Sequence, residues 1–169
     1  MFNHTMLRLH FIIVLCTAAL LTTSMLPAHA VEPGAINITS IAEKETIGVD
    51  KDGKTQSTRT RVDTALPGDE IIYTTTFENI SKSPAGSIVI SNTIPNDTTY
   101  LSANGANTEV TFSIDDGNQF SAPEELLVTT SKGYTRPAIP SDYTHLRWIY
   151  EGELGVGETS EVSFRAVIK

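Results

Sequence analysis

Bulky and polar residues alternate with a period of two through most of the chain beyond residue 35, and the clearest stretch runs from Leu66 to Ile80. Pro67-Gly68-Asp69 is turn chemistry, because proline presets φ and glycine accepts a backbone conformation that strains other residues. After it Ile71, Tyr73 and Phe77 carry bulk on one face, which Thr75 and Asn79 complete. Glu70, Ile72, Thr74, Thr76 and Glu78 lie between them, and the pattern reads them as the solvent-compatible face. Period two with β-branched and aromatic residues predicts a strand with one wet and one buried side. A buried side needs a second sheet to cover it, so this strand implies a sandwich.

The same alternation predicts a first strand over 36–47 and, after the Asp50–Lys54 turn signature, a threonine-rich returning strand over 57–65 whose polarity suits a sheet edge. Ile88 and Ile90 face inward on the next strand, which Ile94-Pro95 ends because proline cannot donate to a ladder. Tyr100 and Leu101 read as a short extended piece. Val110, Phe112 and Ile114 repeat the pattern before the turn at Asp115–Asn118. Leu126–Val128 reads as a brief strand, and Thr129–Thr144, punctuated by Gly133, Pro137 and Pro140, as a long loop. Leu146 and Trp148 share a face of the strand over 145–150, with Trp148 expected in the core. Val162, Phe164, Ala166 and Ile168 close the chain. No window beyond residue 30 carries a 3.6-residue stripe. The expectation is an all-β, antiparallel sandwich of about seven to nine strands.

The first thirty residues follow a different rule. Arg8 gives a positive start, 11–21 is an apolar run, and Ala28-His29-Ala30 places small residues where a signal peptidase reads. The apolar run is well short of the roughly 18 residues that span a bilayer, so no stable membrane span is expected once the leader is removed. Residues 1–30 are therefore read as a signal peptide, 31–35 as a linker and 36–169 as one β-sandwich domain. Localisation follows as exported: periplasmic, cell-surface or secreted. Cys16, the single cysteine, leaves with the leader, so the remainder has neither disulfide nor thiolate metal site. The net charge of −8 becomes −9 when Arg8 goes. That balance argues against nucleic acid as a partner.

Pro67-Gly68-Asp69, Ile71, Tyr73, Asn79 and Ala85, followed by Ile88-Val89-Ile90 and Ile94-Pro95, resemble the hallmark of a bacterial extracytoplasmic module. This is domain of unknown function eleven, also named the conserved repeat domain. Trp148 to Leu154, Gly157-Glu158 and the Val162–Phe164 alternation are similar to the ending of that family. The resemblance covers roughly 36–169 and implies an immunoglobulin-like sandwich of surface, secreted or envelope proteins. Asn92 stands where the family often has aspartate, so a cation role tied to that aspartate does not carry over. The resemblance implies no reaction.

Candidate chemistry is sparse. His145 is the sole histidine beyond the leader, and no Gly-x-Ser-x-Gly elbow accompanies it. Glu124-Glu125, Glu151 with Glu153 and Glu158 with Glu161 lack the evident cleft that paired glycosidase carboxylates need. Asp50-x-Asp52-Gly53 and Asp115-Asp116-Gly117-Asn118 do not supply the ligand series of a calcium loop. No catalytic, cofactor-binding or metal residue is assigned, no cofactor is expected, and the chain is read as not an enzyme. The candidate ligand-binding loop is 129–144, with Tyr134, Arg136 and Tyr143 near prolines that limit its conformations. The function expected is an exported structural, adhesive or protein-binding module of the bacterial cell envelope, with a protein or cell-surface component as partner. The alternative is a carbohydrate- or calcium-binding accessory module.

Overall fold

A computed structural model describes residues 35–169. The expected signal peptide and the linker up to Gly34 lie outside the described residues. The strands are β1 Ile36–Val49, β2 Thr55–Arg61, β3 Glu70–Asn79, β4 Ala85–Gly86, β5 Val89–Thr93 and β6 Thr98–Gly105. They continue as β7 Thr108–Ser113, β8 Leu127–Thr129, β9 Thr135–Pro137, β10 His145–Tyr150, β11 Glu153–Leu154 and β12 Thr159–Ile168. Five of them form one antiparallel sheet in the order β2-β1-β3-β12-β6, and three form a second in the order β5-β10-β7. The short strands pair as β11-β4 and β8-β9. The result is all-β and sandwich-like. Among the described residues no helix is long and apolar enough to cross a membrane.

The turn before β3 shows why the alternation starts there. Gly68 has φ +90°, the Asp69 N–H donates to the Leu66 carbonyl at 2.9 Å, and the Leu66 N–H donates to the Asp69 carboxylate at 3.0 Å. Proline followed by a positive-φ glycine is type II turn geometry. Lys44 of β1 pairs with the same carboxylate and ties the turn to the neighbouring strand. From there Ile71, Thr75, Phe77 and Asn79 point into the interior and are 0–2% exposed.

Both sheets contribute to one core. Phe77, Val162, Phe164 and Ala166 of the long sheet meet Ile90, Phe112, Leu146 and Trp148 of the short one. Trp148 is fully buried, as its alternation predicted. Each such large side chain contributes about 1.5–3 kcal/mol by leaving water. Asn79 is a polar residue at the same depth. Its Nδ2 donates to the Ser83 and Leu154 carbonyls, both at 2.8 Å, and its Oδ1 accepts from the Ser81 N–H at 3.0 Å and hydroxyl at 2.7 Å. One amide thus joins the end of β3 to the following turn and to β11.

Three local readings are corrected. Ile72 and Thr74, expected on a wet face, are 1% and 7% exposed. Arg165 stands opposite Ile72 on the outer surface, where Glu70 and Glu45 each hold its guanidinium at 2.7 Å. Long charged side chains fixed this way cover aliphatic surface with their stems. Tyr100 and Leu101 belong to an eight-residue strand, because Thr98–Gly105 completes the edge of the long sheet beside β12. The span 129–144 is not an open loop: β9 pairs with β8, and Pro140–Asp142 forms a 3-10 turn.

β1 is longer than its partner. Its pairing with β3 ends at Lys44–Ile71, whereas its pairing with β2 runs on to Val49–Thr55. Beyond Lys44 the hairpin therefore projects as two strands without a third, and every residue of β2 is exposed.

Candidate binding edge and groove

The two sides of the sandwich are finished differently. On one side, Phe112 of β7 exchanges two backbone hydrogen bonds with Ser121, at 2.9 and 3.0 Å, which occupies its outward polar groups. The Pro140–Asp142 turn packs on β6, the other edge of that side. Tyr143 anchors the cover, stacking on Phe112 with centroids 4.5 Å apart and meeting the edge of Tyr100 at 5.9 Å.

On the opposite side the edges are β1 and β5, and their hydrogen-bond registers show what they expose. The Tyr150 N–H donates to the Ile88 carbonyl and the Ile94 N–H to the Thr144 carbonyl, bracketing the pairs Ile90–Trp148 and Asn92–Leu146. Partners alternate along an antiparallel ladder, so the backbone groups of Val89, Ser91 and Thr93 point away from β10. All three residues are exposed. On β1 the Ile80 N–H donates to the Ala35 carbonyl, which assigns odd-numbered residues to β3. Ile36, Ile38 and Ser40 then face outward, ahead of the point where the Val62 N–H bonds to the Ala42 carbonyl and β2 begins to cover the edge. Neither stretch, 35–42 or 88–95, carries a charged residue. Proteins usually guard bare edges with charge, proline or a covering segment. Pro95 ends the second stretch and Arg147 of β10 donates to Ser91 Oγ at 3.1 Å, but among the described residues no segment covers the backbone of either edge.

Between the edges lies a groove of about 300 Å³. Tyr73 and Phe164 line it, with rings stacked at 4.6 Å and 12°. Small residues explain why it is open. Ser40 and Ala42 occupy the β1 positions beside Thr75 and Tyr73, so no bulky side chain closes that end of the core. A polar row crosses the groove: Asn92 Nδ2 donates to Thr75 Oγ1 at 2.8 Å, and Thr75 Oγ1 lies 3.0 Å from Ser40 Oγ. Burial, and then the charge of Asp97, push the Tyr73 phenol above its ordinary pKa, which keeps it neutral. The lining is uncharged throughout. It offers apolar surface together with hydroxyl and amide groups that can hydrogen-bond a passing backbone.

The three residues expected to form a binding loop have different roles. Arg136 makes a two-pronged pair with Asp142, at 2.6 and 2.8 Å, closing the 129–144 segment on itself. Tyr143 belongs to the aromatic cover of the far side. Tyr134, at the β8–β9 turn, is 72% exposed and alone of the three presents its ring to solvent. Both His145 nitrogens face hydroxyls, Thr93 Oγ1 at 3.0 Å and Thr144 Oγ1 at 3.2 Å. The acids of the two turns accept hydrogen bonds from their own backbones, Asp50 from Asp52 and Lys54, and Asp115 from Gln119.

The groove was not legible as a site in the sequence, because its signal is a pair of small residues, Ser40 and Ala42, on an otherwise regular strand. Comparison with family models, with curated proteins and with solved structures finds no match.

Proposed function

We propose that this chain is an exported, non-enzymatic, immunoglobulin-like module that binds protein in the bacterial cell envelope by accepting an extended segment along its open side. One observation carries the reading: β1 and β5 leave uncharged, unpaired edges on one side of the sandwich, while covering segments finish the other side. Addition of a strand to such an edge supplies affinity through main-chain hydrogen bonds and needs no catalytic group. The leader-like first thirty residues and the motif resemblance support the envelope setting.

Site-specific photo-crosslinking in the producing cell tests this. A photoreactive residue at Ser91 or Ile38 should yield discrete crosslinked proteins in the envelope fraction, and one at Thr76, on the outer face of β3, should not. Equal yields from all three positions, or none, would reject the open side as a binding surface. Cell fractionation with the protein found only in the cytoplasm would reject export.

A further inference from the structure

The groove adds a selection rule to the proposed function, on which this inference rests. We infer that the open side takes an extended segment that pairs with β5 and places a bulky apolar side chain in the slot beside Tyr73. The backbone of β5 fixes the alignment. A segment bonding to Val89, Ser91 and Thr93 sets its intervening residues level with Ile90 and Asn92, whose side chains point between the sheets. Side chains directly opposite one another lie on the same face of a pair. The residue facing Asn92 therefore enters the groove over Ser40, Ala42 and Thr75.

The lining decides what that residue is. Tyr73 and Phe164 provide apolar surface, Ser40 and Ala42 leave space, and no lining residue carries a charge to neutralise. A charged side chain there would lose its hydration without a partner. The volume points the same way, since about 300 Å³ is at the lower end of small-molecule pockets and suits a side chain or two on a strand passing by. Proline is excluded from segment positions opposite Val89, Ser91 and Thr93, because each must offer an N–H.

Selection of phage-displayed random decapeptides on the immobilised full-length protein tests the rule. The expected pool alternates, with leucine, isoleucine, valine or an aromatic residue at every second position. Replacing the slot-facing residue of a selected peptide by alanine should weaken binding about ten-fold. Ala42→Leu, which fills the slot from the β1 side, should lower affinity for the bulky peptide and remove its advantage over the alanine version. Ser91→Pro should lower affinity for both. Enriched peptides that carry charge at the slot-facing positions or lack the two-residue period would overturn the inference, and so would an unchanged preference in Ala42→Leu. A pool with no enrichment would overturn it too. Crosslinking at Ser91 persisting alongside any of these results would leave the open side as a protein-binding surface and remove only the slot rule.

Discussion

Asn79 offers the sharpest test of how this sandwich is held together. Replacing it by alanine removes four side-chain hydrogen bonds, to Ser83, Leu154 and twice to Ser81. Each is worth about 1 kcal/mol net, which sets a ceiling near 4 kcal/mol. The Ser81 and Ser83 groups lie in a partly open turn and regain water, which lowers the loss. The Leu154 carbonyl does not, because Leu154 is 2% exposed and the bond to Asn79 is buried. An orphaned buried carbonyl retains a penalty of about 1–3 kcal/mol, so the expected loss is about 3 kcal/mol. For a domain of this size that lowers Tm by about 10 °C. Urea unfolding followed by tryptophan fluorescence reads it as a lower midpoint at unchanged slope. Asn79→Asp should be at least as damaging at neutral pH, because a carboxylate cannot donate to either carbonyl. A loss below about 1 kcal/mol for Asn79→Ala would refute the claim that this amide joins β3, its turn and β11.

Other substitutions probe separate parts of the fold. Trp148→Ala should lower stability by about 3–5 kcal/mol in denaturant melts. Trp148→Phe should cost much less, because it retains most of the ring while removing an indole N–H that has no partner among the described residues. Gly105→Ala should destabilise by about 1–3 kcal/mol, since a Cβ there would stand 2.6 Å from Thr108 Oγ1 and 2.9 Å from Val162 Cγ1. The Arg136 hydrogen bonds hold the Asp142 carboxyl below its ordinary pKa. A depressed folded-state pKa adds stability above the ordinary carboxylate range and loses it as pH falls through the folded value. Melting temperature should therefore drop on acidification below about pH 4, and Asp142→Asn should flatten that drop.

The strands that bury one face were legible because period two is a direct consequence of the pleat. Ile71, Phe77, Ile90, Trp148 and Phe164 all lie where alternation put them. Ile72 was misread because its cover comes from Arg165, ninety-three positions away, whose placement depends on the β3–β12 register. The 129–144 segment looked open because glycine and proline break local patterns. Its order comes from the Arg136–Asp142 pair and from Tyr143 docking on Phe112, neither of which leaves a period. The groove is harder still to find, since it is defined by volume that Ser40 and Ala42 fail to fill.

The hairpin beyond Lys44 has a consequence for how the molecule comes apart. A two-stranded ribbon without a covering layer is marginal in water. The tip at Asp50–Lys54 should exchange its amides within the dead time of a mixing experiment, while protection rises steeply past Glu45, which Arg165 of β12 ties to the sheet. A protease that cuts after Lys51 or Lys54 would then nick the chain and leave the two fragments associated, with the fluorescence of Trp148 undisturbed.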